Sequence, residues 1–358
     1  MSNPNPDSNP IVTTAALARH LGLSRWTVSR VLNGHQGVKQ DTVDRIHQAM
    51  EKLHFAPNPI ARGLRGARTG MIGVCFLELE TPMLVRKTVV LQQILREQGY
   101  QAIIELTGGR LELEEQVIAS FQALKVDGIF LVGSSLNPDS PAVSRLEASG
   151  IPVVAVDPHG PLPFPKVAVN RLKAYQMLVE HLLDLDPSSS IGVIGLHEGV
   201  IYGGERLKGL SKAAQLRGRD EKELFSHYYD AERQDLFYEH GYDLCGRVLE
   251  AKGKPPRALL CLNDQLAIGA IRKLTEKGIS IPEDVRVTGF DNLHISEFTY
   301  PSLTTIGQRV ADLMKTATEV LLDWVMTGEP PKKRSHILTP RLIVRESTAG
   351  FKARADAT

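Results

Sequence analysis

Arg25, Trp26 and Arg30 fall within the run SRWTVSRVLN. On a helix Arg30 lies about one turn beyond Trp26. An arginine fork is the side chain best matched to the paired acceptors on the edge of a guanine. Thr27, Ser29 and Asn33 add short donors suited to phosphate oxygens, which fix register without reading sequence. These residue types recognise a polyanion; they do not break bonds. A second group lies far along the chain, with Arg206 in GERLKGL and Asp264 in CLNDQLAIGAI. Asp157 and Asp291 each follow an apolar run. A guanidinium and carboxylates hold hydroxyls or a carboxylate at fixed angles, which suits a small polar ligand. Asp264 has a second reading as a helix cap before LAIGAIRKL, and Asp157 and Asp291 have equal claims as turn or structural residues.

No constellation for catalysis accompanies them. The sequence holds no G-x-S-x-G, no H-E-x-x-H and no G-x-x-x-x-G-K-[ST]. Its eleven histidines are scattered. His20, His35, His47 and His54 share no ligand spacing, and His47 and His54 read as helix-surface residues. Cys75, Cys245 and Cys261 are too widely spaced for a cysteine zinc site or a disulfide scaffold. Neither an enzyme, a metal nor a cofactor is expected.

Charge locates the polyanion site. The 358 residues carry a formal net charge of only +1. Residues 11–70, however, hold nine basic and three acidic side chains, a local +6, and the 288 residues after them sum to −4. A basic head on a mildly acidic body is the electrostatic footprint of phosphate binding; a solvated charged face is the plain alternative. With 42% hydrophobic and 23% charged residues the chain can build two or three cored domains. No apolar run approaches the roughly 18 residues of a membrane span. MSNPNPDSNP has neither the basic start nor the apolar stretch of a signal peptide. A cytoplasmic protein with no membrane partner is expected.

The elements that position the head residues are legible. Thr13 caps AALARHLG, whose Ala15, Ala18 and Leu21 share a face and which Gly22 ends. Ser24 caps a second helix with Val28, Val31 and Leu32 turned inward. A third covers about Gln40–Leu53, with Val43, Ile46, Met50 and Leu53 at helical intervals; Asp41 is available to cap it. Two short helices joined by Gly22-Leu23-Ser24 form a helix-turn-helix, whose second helix enters the major groove N-terminus first.

Val12–Gly66 resembles the DNA-binding head of the lactose-repressor (LacI/GalR) family, most specifically in TVSRVLNG (Thr27–Gly34) and NPIARGLRG (Asn58–Gly66). The resemblance implies base reading by Arg25, Trp26 and Arg30, and DNA contacts by Thr13, Thr27, Ser29 and Asn33. It also implies a hinge helix over Asn58–Arg65 that forms on operator DNA and wedges Leu64 into the minor groove, with Ala61 beside it and Arg65 nearby. Eight residues are too few for a stable free helix, and Gly63 weakens it by about 1 kcal/mol relative to Ala. A plain flexible linker is the competing reading.

From Met71 short apolar runs alternate with helical stretches: MIGVCF, YQAIIEL, GIFLVG and PVVAV in one set, SIGVIG, Leu224–Tyr229, ALLCLN and VRVTGF in another. Such alternation signals parallel sheets in two lobes, with a ligand cleft at the strand ends. This body resembles the family's periplasmic-binding-protein-like effector domain through GERLKGL, CLNDQLAIGAI, VRVTGFDN, PSLTTIGQ and LIVREST. In relatives the first two motifs place an Arg and an Asp in the cleft, here Arg206 and Asp264. The text departs from the family at ELETPMLVRK, where only Pro82 of the usual Asn-Pro-aromatic stretch survives, and at VDPHGPLPFPKVAVN, where Asn170 replaces a common Asp.

The fold class is therefore α/β: a helix-turn-helix head and hinge, then a two-lobed body. The expected units are an extension (1–11), head (12–56), hinge and linker (57–70), body (71–350) and tail (351–358). The first lobe is placed at about 71–167 and 303–328, the second at about 168–302 and 329–350. The function implied is a homodimeric regulator of transcription, most simply a repressor, binding pseudo-palindromic operator DNA and a small effector, with a sugar or sugar derivative favoured by the resemblance. An exported sugar receptor fits the body but leaves residues 1–66 without a purpose; an α/β enzyme lacks a nucleophile–base pair.

Overall fold

A computed structural model describes residues 13–32, 37–55, 68–78, 81–200, 202–233, 236–251 and 255–350. The expected sites Asn33, Asn58, Ala61, Leu64 and Arg65 lie outside them.

The head comprises α1 (Thr14–His20), α2 (Arg25–Leu32) and α3 (Gln40–Lys52). Leu17, Ala18, Val28, Val31, Ile46 and Phe55 form its core. Leu17, not foreseen as an inward residue, is fully buried, whereas Ala15 is only half-buried. Thr13 Oγ1 accepts from Ala16 N at 3.1 Å, and Ser24 Oγ accepts from Thr27 N at 3.0 Å. Gly22 closes α1 at φ +65°, a conformation glycine adopts at little cost. The start of α3 differs from expectation. Lys39 is the N-cap and makes no side-chain cap, and Asp41 sits in the first turn, where its charge favours the helix dipole.

The first lobe follows as β1 (Met71–Phe76), α4 (Pro82–Glu97), β2 (Gln101–Leu106), α5 (Leu111–Leu124), β3 (Gly128–Val132), α6 (Pro141–Ser149), β4 (Val153–Val156) and β5 (Lys166–Val169). The chain then builds the second lobe: α7 (Arg171–Leu185), β6 (Ile191–Ile194), α8 (Gly203–Leu216), α9 (Glu221–Leu224), β7 (Phe225–Tyr228), α10 (Tyr238–Glu250), β8 (Ala258–Cys261), α11 (Asp264–Glu276), β9 (Arg286–Thr288) and β10 (Thr305–Gly307). It returns to the first lobe for α12 (Val310–Thr327) and β11 (Ser335–Leu338), and ends in the second with β12 (Arg341–Ile343) and α13 (Glu346–Ala349).

One parallel sheet has the order β11-β5-β4-β3-β1-β2 and the other β7-β6-β8-β9. Helices cover both faces of each, so central strands such as MIGVCF and VVAV are buried along their whole length and read as unbroken apolar runs. In the first lobe α4 and α12 pack on one face, and α5 and α6 on the other.

Two expected lobe boundaries are corrected. Residues 303–307 belong with the second lobe: Leu303 and Ile306 sit in its core, and β10 pairs antiparallel with β12. Residues 335–338 belong to the first lobe, because β11 completes its sheet against β5. Short strands at a lobe junction have no periodicity long enough to assign them; the sheet edge they pair with decides. β5 itself lies inside the proline-rich stretch that reads as a rim loop.

Three chain segments thus cross between the lobes, after β5, after β10 and after β11. Two of them are tied together by Asn170 N donating to Leu338 O at 2.9 Å. The chain enters the body on a fixed post: the Asp127 carboxylate accepts from Thr69 N at 2.8 Å and from Gly70 N at 2.7 Å, while Arg68 donates to the Val325 and Met326 carbonyls at the end of α12. Whatever residues 57–67 do is therefore anchored directly to the first lobe.

Candidate functional site

The head presents one polar face on α2. Val28 and Val31 turn the other side of the helix into the core, which forces Arg25 and Trp26 outward. The Trp26 indole is 67% exposed, and the Arg30 guanidinium carbon stands 4.8 Å from its ring centroid. An i, i+4 pair of this kind holds both side chains in one orientation through the cation–π attraction. Ser24 Oγ and Thr27 Oγ1 are 2.8 Å apart, so Thr27 is engaged with the helix cap. Thr13 is likewise occupied in capping α1. Two of the expected phosphate contacts thus also fix helix N-termini, where free amides point outward to anions.

The body residues converge between the lobes, though not as the sequence alone suggests. Asp157 ends β4 at φ +46° and is 2% exposed. Its carboxylate accepts from Lys87 Nζ at 2.7 Å, from an Arg171 guanidinium nitrogen at 2.8 Å and from Val169 N at 3.0 Å. Burial pushes its pKa up, but the two cations outweigh burial and hold it below the usual carboxylate range. The Asp157 carboxylate is thus engaged by Lys87 on α4 and Arg171 on α7, in keeping with its structural reading. Arg171 also lies 3.6 Å over the ring of Tyr202, whose hydroxyl donates to the Asp157 carbonyl. Tyr202 caps α8 in the second lobe, so this cluster fastens one lobe to the other.

For Asp264 the helix-cap reading is corrected. It has no exposed surface, and the N-cap of α11 is Asn263, whose side chain accepts from Leu266 N. The Asp264 carboxylate accepts from Leu293 N at 2.8 Å, Ser296 Oγ at 2.7 Å and Thr305 Oγ1 at 2.5 Å. It ties the 3-10 turn at His294–Glu297 and strand β10 to the second lobe. Burial, reinforced by the nearby Asp291 charge, raises its pKa to about 7 against the pull of those hydrogen bonds.

Asp291 and Arg206 are the pair that remains. Asp291 accepts from Gln308 Nε2 at 2.5 Å, and burial raises its pKa to about 6, opposed by Gln308 and then by the positive charge of Arg206. It borders a recess of about 120 Å³ with Asn292, Gly307, Gln308 and Arg86. The Arg206 guanidinium projects from α8 into an aromatic collar, 5.4 Å from the Phe290 ring centroid and 5.7 Å from those of Tyr175 and Tyr202. Tyr175 is fixed by donating to Leu262 O at 2.9 Å. The Tyr175 and Phe290 rings are fully buried, so the collar packs around the guanidinium and does not replace the aromatic stretch missing after β1. Lys87, Arg171 and Tyr202 are the functional candidates that the sequence reading missed. The signals were present: a lysine inside the apolar VRKTVV and an arginine directly after the cap Asn170.

The thiols take no part. All three cysteines are buried and free, and burial pushes Cys245 up to about 12. Among the described residues no group of His, Cys, Asp and Glu is arranged to hold a metal ion, and no helix is long and apolar enough to cross a membrane.

Residues 16–58 match the model of bacterial regulatory proteins of the lacI family, and residues 179–348 match the periplasmic binding protein-like domain. The HTH-type transcriptional repressor PurR of Haemophilus influenzae (strain PittEE) is 30% identical over 341 residues, spanning 94% of this chain and 98% of its own. Among solved structures, the lac repressor dimer bound to operator and the anti-inducer ONPF superposes with a TM-score of 0.80 at 24% identity, covering 94% of this chain and 99% of that one. The transcriptional regulator CelR in complex with cellobiose gives 0.64 at 26% identity over 94% and 99%. With its helix-turn-helix head, its two parallel-sheet lobes and a relative of this identity along nearly its whole length, the chain belongs to the LacI family and is a DNA-binding transcriptional repressor, not an enzyme.

Proposed function

We propose that this repressor works in the cytoplasm as a homodimer, reading a pseudo-palindromic operator with Arg25, Trp26 and Arg30 of each head and releasing or gaining it in response to a small effector held by Arg206 and Asp291. The observation that carries the DNA reading is the α2 face. A 67% exposed indole braced by an arginine has no packing purpose among the described residues. Two-fold pairing suits the exposed apolar groups left on each lobe, Val85 and Val89 on α4, and Ile295, Phe298 and Tyr300 beside β10. A sugar or sugar derivative fits the effector site, because hydroxyls suit the Arg206 fork and the Asp291 carboxylate.

A gel shift with genomic fragments tests the DNA reading, and absence of any sequence-preferring complex sinks it. On the operator so found, Arg30→Ala should weaken binding about 5- to 150-fold, the equivalent of 1–3 kcal/mol for one base-reading contact. The preference at a single base pair of each half-site should relax with it. Uniform weakening across all sequences would make Arg30 a phosphate contact instead.

Leu64, outside the described residues, is proposed as the minor-groove wedge of a hinge helix that forms on the operator. Leu64→Ala should weaken operator binding and reduce the bend in circular-permutation gels while leaving the dimer intact by sedimentation. Unchanged affinity and bend would return residues 57–67 to a simple linker.

A further inference from the structure

Beside the Arg206 site, a separate groove of about 580 Å³ opens between the 158–161 loop, strand β5 and the first turns of α7 and α8. None of Arg206, Asp264 and Asp291 lines it. Its charged walls are Arg171, Lys166 and Lys208 against a single carboxylate, Glu205. Lys166 and Lys208 are exposed and form no ion pair among the described residues. Arg171 differs from both: it is 4% exposed, one guanidinium nitrogen is spent on Asp157, and its Nε has no hydrogen-bond acceptor among the described residues. The Asp157 charge does not balance the cluster behind this wall, because Lys87 shares it. The buried centre therefore holds two cations for one anion, an excess that is costly away from water unless a further negative group approaches.

The backbone reinforces the same sign. The N-termini of α7, 15 residues long, and α8, 14 residues long, both border the groove, and each carries partial positive charge, with Lys173 N already capped by Asn170 and Gly203 N bonded to Val200 O. Apolar surface from Pro158, Pro161, Leu172 and Ile337, with the edge-on rings of His159 and Tyr202, supplies a wall for a carbon skeleton. Burial, with the Arg171 charge adding to it, pushes His159 down to about 4, so at neutral pH it is an uncharged ring and brings no counter-charge of its own.

We propose that this groove is a second ligand site, distinct from the Arg206 pocket, that takes a small metabolite bearing an oxyanion, phosphate or carboxylate. The oxyanion lies against Arg171 and the α7 and α8 N-termini, Lys166 and Lys208 flank it, and the carbon skeleton rests on the proline wall. Because Arg171 and Tyr202 also join the two lobes, occupancy couples to how the lobes are held together.

Calorimetric titration of the full chain at fixed ionic strength, with glucose 6-phosphate, gluconate and glucose as probes, tests the site. At least one of the two anions should bind tenfold or more tightly than glucose; which one does so identifies the oxyanion. Lys166→Glu/Lys208→Glu should lose that preference by tenfold or more, because both lysines are exposed and support no packing. Lys315→Glu, on the far helix α12, should retain it, as should Arg206→Ala. Equal affinity for the three probes, or anion binding unaltered in the double-lysine variant, overturns the proposal. Anion binding lost in Arg206→Ala but kept in the double variant also overturns it, by moving the anion into the effector pocket. Operator binding by the apo-protein is read separately in gel shifts, so failure here leaves the DNA reading standing.

Discussion

Asp157→Ala is expected to cost this protein about 3–5 kcal/mol of stability, the effect of removing one partner from a buried ion cluster. The magnitude comes less from lost attraction than from what is left behind. Lys87 and Arg171 are both almost wholly buried, and without the carboxylate they face each other as two desolvated like charges. Val169 N would also lose its acceptor. Asp157→Asn is the sharper comparison, because it keeps the volume and one acceptor but removes the charge; it should recover only part of the loss. The same cluster sets an acid limit. The Asp157 pKa is depressed on folding, so its contribution is complete above the unfolded value of about 3.9 and disappears as pH falls below it. Urea unfolding of the full chain at pH 7 provides the measurement, and a loss under about 1 kcal/mol for Asp157→Ala, the cost of an ordinary surface change, would refute the buried-cluster account.

A second large effect runs the other way in pH. In the unfolded chain Asp264 ionises near 3.9, but in the fold it holds its proton until about 7, and Asp291 until about 6. Between those values the folded state keeps protons on these two carboxyls that the unfolded state has released, so their contribution to stability falls as pH rises, while His159, held down to about 4 by burial, contributes with the opposite sign. From pH 5 to pH 7.5 the Asp264 contribution alone amounts to a fall of about 2–3 kcal/mol, at 1.4 kcal/mol per unit of pKa. Asp264→Asn removes that proton linkage while keeping an oxygen for Leu293 N or the hydroxyls. Urea midpoints measured from pH 5 to pH 8 should therefore fall more, or rise less, with pH in the wild type than in the variant. Equal slopes in both proteins would show that Asp264 is ionised throughout.

Much of the architecture was legible because long elements repeat their signal many times. MIGVCF marks β1 at the very residues it occupies, and the runs for the head helices fall within two residues or so of their observed ends. Thr13 and Ser24 were identifiable as caps because capping is a local matter of one side chain and the amides three residues on. The outward set of Arg25, Trp26 and Arg30 followed from helical periodicity, since Val28 and Val31 left it only one side to occupy.

The body site was another matter. The sequence could nominate Asp157, Asp264 and Asp291 as strand-end or helix-start carboxylates, but it could not rank them, because their partners come from residues 70, 41 and 17 positions away. Only the tertiary structure committed Asp157 to Lys87 and Arg171, engaged Asp264 in bracing the second lobe, and set Asp291 against Gln308 and Arg206 within its ring of aromatic side chains. It likewise assigned the short strands β5, β10 and β11, whose three or four residues carry no usable period and take their lobe from the edge they complete. Charge shows the same division. The split between a basic head and an acidic body is additive along the chain and could be read from it. The excess of cations around Arg171 depends on which side chains burial brings together, and no count along the sequence contains it.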